Sequence, residues 1–333
     1  MRAPEHRSPL QGGRRRRGAA RRLATGLMLL AILAVSGAVY LAYVHEGPRE
    51  RAAARPSPDT PTAPAPAAGG SLAPRSPAPV RLTGVDAFRA RFRKPPSATL
   101  VFDVDSGEVL YRSHPLRVLP MASLTKIMTA LLVARQSRPK EPVRITAQAL
   151  RYSGTGVGLL PKGKRVRLEA LLNGLMIVSA NDAAIALAIH TSGSQRRFVG
   201  LMNEQAHLWG LTCTSFASAH GLERGNRSCA ADLAVMTRLA MRNKRIAQIA
   251  RRSSVSFRFP IEGGKLYLAG HNPLIRLRYP GAIGLKTGYT DDAGRCFVGV
   301  ARRNGRQLGV VVLDSPDPGR QSAKLLDLAF QAR

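Results

Sequence analysis

The spacing of hydrophobic positions divides these 333 residues into four segments. Residues 1–22 show no apolar period and carry eight Arg against one Glu. Leu23 to Val44 then runs for 22 residues without a charge. As a helix rising about 1.5 Å per residue it reaches about 33 Å, enough for a hydrocarbon core of about 30 Å. Residues 45–80 lose the pattern again. Nine Pro fall among residues 46–80, with Ala, Ser and Gly between them, a composition that stays extended and builds no core. From residue 81 the pattern is that of a globular domain. Ala98–Val104 and Glu108–Tyr111, β-rich runs on either side of Asp105-Ser106-Gly107, predict a hairpin. After Ser123, residues Leu124, Ile127, Met128, Leu131 and Leu132 recur at helical spacing. Leu168–Met176, Ala183–Ile189, Gln195–Trp209 and Ala230–Met241 predict further helices. Val255–Phe259, Leu266–Ala269, Ile283–Tyr289, Cys296–Ala301 and Leu308–Leu313 are β-rich, and Gly319–Gln331 closes the sequence as a helix. Strands first, helices in the middle and antiparallel-looking strands last predict a mixed α/β (α+β) domain whose sheet is completed by distant parts of the chain.

Charge adds an address to this pattern. The basic segment before the apolar run holds the N-terminus in the cytoplasm and sends the rest of the chain outside. The expected organisation is a basic cytoplasmic tail (1–22), a transmembrane anchor or signal (23–44), a Pro/Ala-rich linker (45–80) and an exported domain (81–333). A cleaved signal peptide is the competing reading, with Leu23–Val35 as its apolar region and Ser36-Gly37-Ala38 as the cleavage site; the domain is then secreted. Apolar residues continuing to Val44 favour an uncleaved single-pass anchor in the cell membrane. The whole chain is +31, from 42 Arg and only 9 Lys against 20 acids, and residues 81–333 alone hold 39 basic and 16 acidic residues, or +23. Scattered basic residues, 5% aromatics and an extracytoplasmic address argue against nucleic acid and suit anionic lipid or a cell-wall polymer. Three Cys and seven His without a CxxC or HxH argue against a metal centre.

Three short motifs carry chemistry. Ser123-Leu-Thr-Lys126 puts a hydroxyl and an amine at i and i+3, on one face of a helix whose start offers free N–H groups to developing negative charge. A neutral amine base cannot be replaced by guanidinium, so a Lys here stands out in a chain that prefers Arg. Burial and a second cation push such an amine toward neutrality. Ser179-Ala180-Asn181 offers a hydroxyl and a carboxamide in a turn, able to relay a proton and hold an amide. Lys286-Thr287-Gly288 lies in the strand Ile283–Tyr289. There Gly288 lets another backbone approach, an extended peptide can pair with the strand, and Lys286 and Thr287 offer a cation and a hydroxyl to a carboxylate.

In this order the three motifs are similar to the Ser-x-x-Lys, Ser-x-Asn and Lys-Thr-Gly set of penicillin-recognising serine enzymes. With Met121-Ala-Ser-Leu-Thr-Lys126, Ser179-Ala-Asn-Asp-Ala183, Met202-Asn203, His220-Gly221-Leu222 and Gly284-Leu-Lys-Thr-Gly-Tyr-Thr290, the chain resembles the serine-type D-alanyl-D-alanine carboxypeptidases, the low-molecular-mass penicillin-binding proteins, from about Ala98 to the end. The resemblance implies a β-lactamase/transpeptidase-like antiparallel sheet flanked by helices, with an all-helical cluster on one side and substrate between Ser123 and the Lys286 strand. It implies Ser123 as acylated nucleophile, Lys126 as its base, and Ser179 and Asn181 in proton relay and amide binding. Lys286 and Thr287 would bind the terminal carboxylate or lower the potential around Lys126, and the N–H groups of Ser123 and Tyr289 would form the oxyanion hole. Arg320 matches a position where some members place a carboxylate-binding Arg; a solvated Arg at a helix start is the other reading. The implied partners are peptidoglycan stem peptides as substrate and β-lactams as inhibitors, with no cofactor. Many members add a β-rich second domain and a C-terminal amphipathic anchor. Here the sequence stops at Arg333, so the N-terminal segment is expected to anchor the protein.

Cys213 and Cys229, 16 residues apart in an exported domain, are expected to form a disulfide, which leaves Cys296 a buried thiol. Glu169-Ala-Leu-Leu-Asn173 looks like the Glu-x-x-Leu-Asn of class A β-lactamases. It precedes Ser179 rather than following it, so Glu169 is read as an acid in the first turn of a helix. Glu204 and His207 have no accompanying ligand pattern, and no metal is expected.

Overall fold

The structure, a computed structural model, describes residues 79–332. The expected cytoplasmic tail, the expected anchor or signal, and the expected linker as far as residue 78 lie outside the described residues. Among the described residues no helix is long and apolar enough to cross a membrane. Val80, expected at the end of the linker, is buried in the core.

The opening hairpin is β1 (Ala98–Asp103) and β2 (Val109–Ser113). Its turn is closed by the Asp103 carboxylate, which accepts from the N–H groups of Asp105 and Ser106, a local Asx arrangement. A two-residue strand β3 (Leu119–Pro120), a 3₁₀ turn (Ala122–Thr125) and α1 (Lys126–Gln136) come next. They lead into β4 (Pro142–Arg144), β5 (Arg165–Arg167), α2 (Leu168–Ile177), α3 (Asn181–Ser192) and α4 (Gln195–Leu208). After β6 (Arg227–Ser228) come α5 (Ala230–Arg242) and α6 (Lys244–Ala250). The strands β7 (Ser254–Arg258), β8 (Lys265–Ala269), β9 (Ala282–Thr290), β10 (Gly294–Arg303) and β11 (Arg306–Leu313) lead to the last helix, α7 (Pro318–Gln331).

The main sheet has the order β2-β1-β11-β10-β9 and is antiparallel throughout. The first strands are therefore zipped to the last, with Ala98 opposite Leu313 and Asp103 opposite Leu308. Both faces of this sheet are covered. Leu100, Phe102, Val311 and Leu313 pack with the helical cluster, while Val101, Val310 and Val312 pack with Leu325, Leu326 and Ala329 of α7. Two-sided burial explains why β11 reads as a nearly unbroken apolar run. The sheet is flanked by helices, as expected: the helical cluster covers one face and the apolar face of α7 covers the other.

Helix α3 is the axis of the cluster. Residues Asn181 to Ala188 are all buried, and its four alanines let neighbouring helices close in. It ends at Gly193, whose φ of +79° provides the left-handed cap. The expected strands Val255–Phe259 and Leu266–Ala269 form, but they do not join the main sheet. They make a separate hairpin, β7–β8, and β4–β5 makes another. On each, alternate residues point inward: Val143 and Val166 on one, Leu266 and Leu268 on the other.

Cys213 and Cys229 are joined in a disulfide. Cys229 is the N-cap of α5 and directly succeeds β6, which pairs with β3 just before Ser123. Cross-linking a loop of this size stabilises a fold by about 3 kcal/mol. Replacing both cysteines by Ser, or reducing the wild type, should lower unfolding stability by that amount in denaturant titrations, and the double variant should no longer respond to reductant.

Candidate active site

Ser123, the expected nucleophile, is held by its backbone on three sides. Upstream, β3 pairs with β6, and the Met121 N–H donates to the Asn226 carbonyl at 3.2 Å. Asn226 is itself buried, with its amide holding Ser218, Glu223 and Ala217. On a second side Gly221, at φ +94°, lies so close that a Cβ there would sit 2.1 Å from the Ala122 carbonyl oxygen. On the third, a Cβ on Gly288 of β9 would lie 3.1 Å from the Ser123 nitrogen. The expectation that Gly288 admits another backbone is met, and that backbone carries the nucleophile.

Ser123 lies in the 3₁₀ turn rather than in an α-helix; α1 begins at Lys126. In a 3₁₀ turn side chains at i and i+3 eclipse, which brings the pair together more directly than an α-helix does. Lys126 Nζ is 2.8 Å from Ser123 Oγ, 2.7 Å from Asn181 Oδ1 and 2.6 Å from the His220 carbonyl oxygen. Lys126 is fully buried, and its pKa is held well below that of an ordinary lysine by burial first and then by the nearby Lys286 ammonium. A neutral amine has two hydrogens and one lone pair. Two acceptors, Asn181 Oδ1 and the His220 carbonyl, take the hydrogens. As an ammonium Lys126 donates to all three oxygens; once neutral, it would turn its lone pair to the Ser123 hydroxyl, the orientation of a general base.

Lys286 is also buried, and burial brings its pKa down to about 7. Its Nζ donates to Ser179 Oγ and to the Thr287 carbonyl, each at 2.8 Å. Of the two roles left open for it, this placement suits the electrostatic one: its ammonium disfavours a second positive charge on Lys126. Ser179 sits at φ +59°, a left-handed backbone that costs a non-glycine residue energy and is kept where the surroundings demand it. Its strain turns the hydroxyl toward Lys286. Asn181, expected in a turn, is already the first residue of α3.

Several residues at the site had no role assigned to them from the sequence, although Asp182 and His220 lie in stretches that carry the resemblance. The Asn181 amide donates to the Ser153 carbonyl at 2.7 Å, and the buried Asp182 carboxylate accepts from the N–H groups of Val157 and Gly158. Together they pin residues 153–158 across the start of α3, placing Thr155 in the cavity. Burial raises the Asp182 pKa despite these donors. The His220 carbonyl was missed because every residue has one; only Gly221 beside it was a signal. The cavity, about 530 Å³, is lined by Ser123, Ser179, Thr287, Gly288 and Tyr289 together with Thr155, His271, Arg276 and Arg295. Arg320 is not brought to it. That side chain is 84% exposed beside Asp317 and lines a different hollow with Phe92 and Lys324. A helix-start position in solvent is what an Arg there adopts when its N–H is already taken by the Asp317 cap. Glu169 is in the first turn of α2, as expected, and pairs with Arg245 at 2.7 Å. Cys296 is a buried thiol, its pKa pushed up to about 12 by burial.

Residues 94–317 match the family described as D-alanyl-D-alanine carboxypeptidase. The chain belongs to this family. Among individual relatives it is 35% identical over 243 residues to D-alanyl-D-alanine carboxypeptidase DacF of Bacillus subtilis, covering 70% of this chain and 61% of that protein. It is 36% identical over 245 residues to DacB2 of Mycobacterium tuberculosis, covering 71% of this chain and 82% of that one. The chain thus spans less than two thirds of the length of the Bacillus relative. The crystal structure of a D-alanyl-D-alanine carboxypeptidase from Mycobacterium tuberculosis superposes with a TM-score of 0.69 at 33% identity, over 74% of this chain and 94% of that one. A variant of the Streptomyces K15 DD-transpeptidase gives 0.68 at 28% identity, over 72% and 100%.

The two buried lysines of this carboxypeptidase-family site should each leave a pH signature. Acylation needs neutral Lys126, so its rate should fall as pH drops through the lowered pKa. Lys126→Arg, which stays protonated, should cost about 10²–10⁴-fold in acylation, read by pre-steady-state trapping. For stability the sign is set by Lys286, which titrates near 7 when folded and near 10.5 when unfolded. Between those values the unfolded chain binds the extra proton, so stability should rise from about pH 7 to about pH 10. Lys286→Met should remove that part of the slope in denaturation curves.

Proposed function

We propose that this protein is a serine D-alanyl-D-alanine carboxypeptidase that removes the terminal D-Ala from peptidoglycan stem pentapeptides. The observation that carries this is the buried Lys126 Nζ lying 2.8 Å from Ser123 Oγ, with burial and Lys286 holding its pKa well below that of an ordinary lysine. Ser123 gives its proton to Lys126 and attacks the penultimate D-Ala carbonyl. The N–H groups of Ser123 and Tyr289 stabilise the oxyanion. The proton passes, with Ser179 as relay, to the departing amine of the last D-Ala. Water then hydrolyses the acyl-enzyme, with Lys126 as base again. β-Lactams enter the same path and acylate Ser123. Thr287, on the cavity wall, is the hydroxyl offered to the substrate carboxylate. The charge-free run Leu23–Val44 and the basic segment before it support a single-pass anchor with the catalytic domain outside the cytoplasm.

Cleavage of cross-links is the second reading. A relative 32% identical over 224 residues is named D-alanyl-D-alanine endopeptidase, from Pseudomonas aeruginosa. A wall-binding relative without activity is disfavoured by Ser123, Lys126, Asn181 and Lys286 being in place together. Release of free D-Ala from a stem pentapeptide, absent in Ser123→Ala, is the expected result. Hydrolysis of a cross-linked dimer without D-Ala release would make the protein an endopeptidase. Inactivity on both substrates would leave the binding reading.

A further inference from the structure

Away from the catalytic cavity, the hairpins β4–β5 and β7–β8 wall an open groove of about 550 Å³. Arg165 and Arg167 line it from one hairpin and Arg258 and Lys265 from the other, with the buried Val166 and Phe259 as its floor. The register makes this arrangement costly. Arg258 stands directly opposite Lys265, and Arg144 directly opposite Arg165. Like charges facing each other across an antiparallel pair are destabilising. Among the described residues none of these five cations has an acidic partner. Residues 142–168 hold six basic residues and no acid. In the neighbouring hairpin Glu262 is the lone acid between 254 and 269, and it does not line the groove.

Each of two adjacent hairpins opposes like charges, and Arg165, Arg167, Arg258 and Lys265 line one concavity between them, where a chain of negative charge would relieve both. We infer that this groove binds an extended phosphodiester polymer, a substrate-independent docking site on the carboxypeptidase-family domain. Three of its four lining cations are Arg, whose fork matches phosphate oxygens in pairs. The concave shape suits a flexible linear polymer and not a flat bilayer, which favours a planar or convex basic face with apolar side chains to insert. Such a site would hold the enzyme against an anionic layer while leaving Ser123 open.

The test uses the detergent-solubilised full chain and linear polyphosphate as probe, with affinity measured across a salt series. Replacing Arg165, Arg167, Arg258 and Lys265 by Ser should weaken binding at least tenfold at low salt. It should also lower the slope of log affinity against log salt by about 3, at about 0.7 for each phosphate no longer neutralised on a single strand. D-Ala release should not change, which shows that the variant is folded and separates this site from the catalytic reading. Replacing four exposed cations elsewhere, Arg117, Arg196, Arg224 and Lys244, removes the same charge and should leave affinity within a few-fold. If this second variant loses as much, the binding is diffuse basicity and the groove is not a site. If the groove variant loses attachment to phosphatidylglycerol vesicles but keeps polyphosphate, the face is a membrane contact and the inference fails. Arg258→Glu gives an independent reading. It turns the Arg258–Lys265 repulsion into an attraction, so it should preserve or raise Tm while weakening polyphosphate binding; a loss of Tm would overturn the inference from register.

Discussion

Two ammonium groups cannot both stay charged in one dry pocket, and the catalytic end of this molecule is organised around that constraint. Lys126 and Lys286 are each buried, and the charge of Lys286 lowers the proton affinity of Lys126. The acceptors decide what remains. Lys126 meets a carboxamide oxygen and a backbone carbonyl, two acceptors that would take the hydrogens of a neutral amine and leave its lone pair for Ser123. Lys286 meets a hydroxyl and a carbonyl. Among the described residues neither is ion-paired to a carboxylate; a carboxylate beside Lys126 would have favoured its charged form and ended its usefulness as a base.

Such a pocket needs parts from across the chain. Its walls are the start of α1, the start of α3, the segment ending at Gly221 and the strand β9. Their backbones meet closely: at Gly221 against Ala122 only glycine fits, and a Cβ on Gly288 would lie a tight 3.1 Å from the Ser123 nitrogen. The main sheet keeps β9 in register through β10 and β11, and is itself fixed by burial on both faces. Packing on the far side of the sheet, under α7, therefore supports the geometry at Ser123 although no atom of that core touches the site.

The cations divide into two populations. The two buried ones at the site are lysines, since only an amine can give up its proton in this range. The exposed ones are mostly arginines, and at β4–β5 and β7–β8 they oppose one another across strand pairs without acids. Of the 9 Lys in the chain, two supply the buried amines at the site, while the other seven, Lys265 of the groove among them, are exposed.

Much of this was legible from residue order. The hairpin at Asp105-Gly107, the four central helices and the strands from Ile283 onward appear within a few residues of expectation, because side-chain periodicity comes directly from backbone geometry. Ser123 and Lys126 were legible because a base three residues from a nucleophile shares its face in any right-handed turn. Arg320 shows the limit: its motif neighbourhood was suggestive, but the Asp317 cap and the start of α7 hold it in solvent, while Arg276 and Arg295 reach the cavity. The free-standing β7–β8 hairpin has the same period as a sheet strand, so its separation could not be read. What the sequence by itself determined is which atoms could react, since hydroxyl, amine and carboxamide are local and covalent. Whether the amine would be neutral, only the tertiary structure decided. Proton affinity depends on excluded water and on groups 55 and 94 residues away, and these come within reach only when the chain folds.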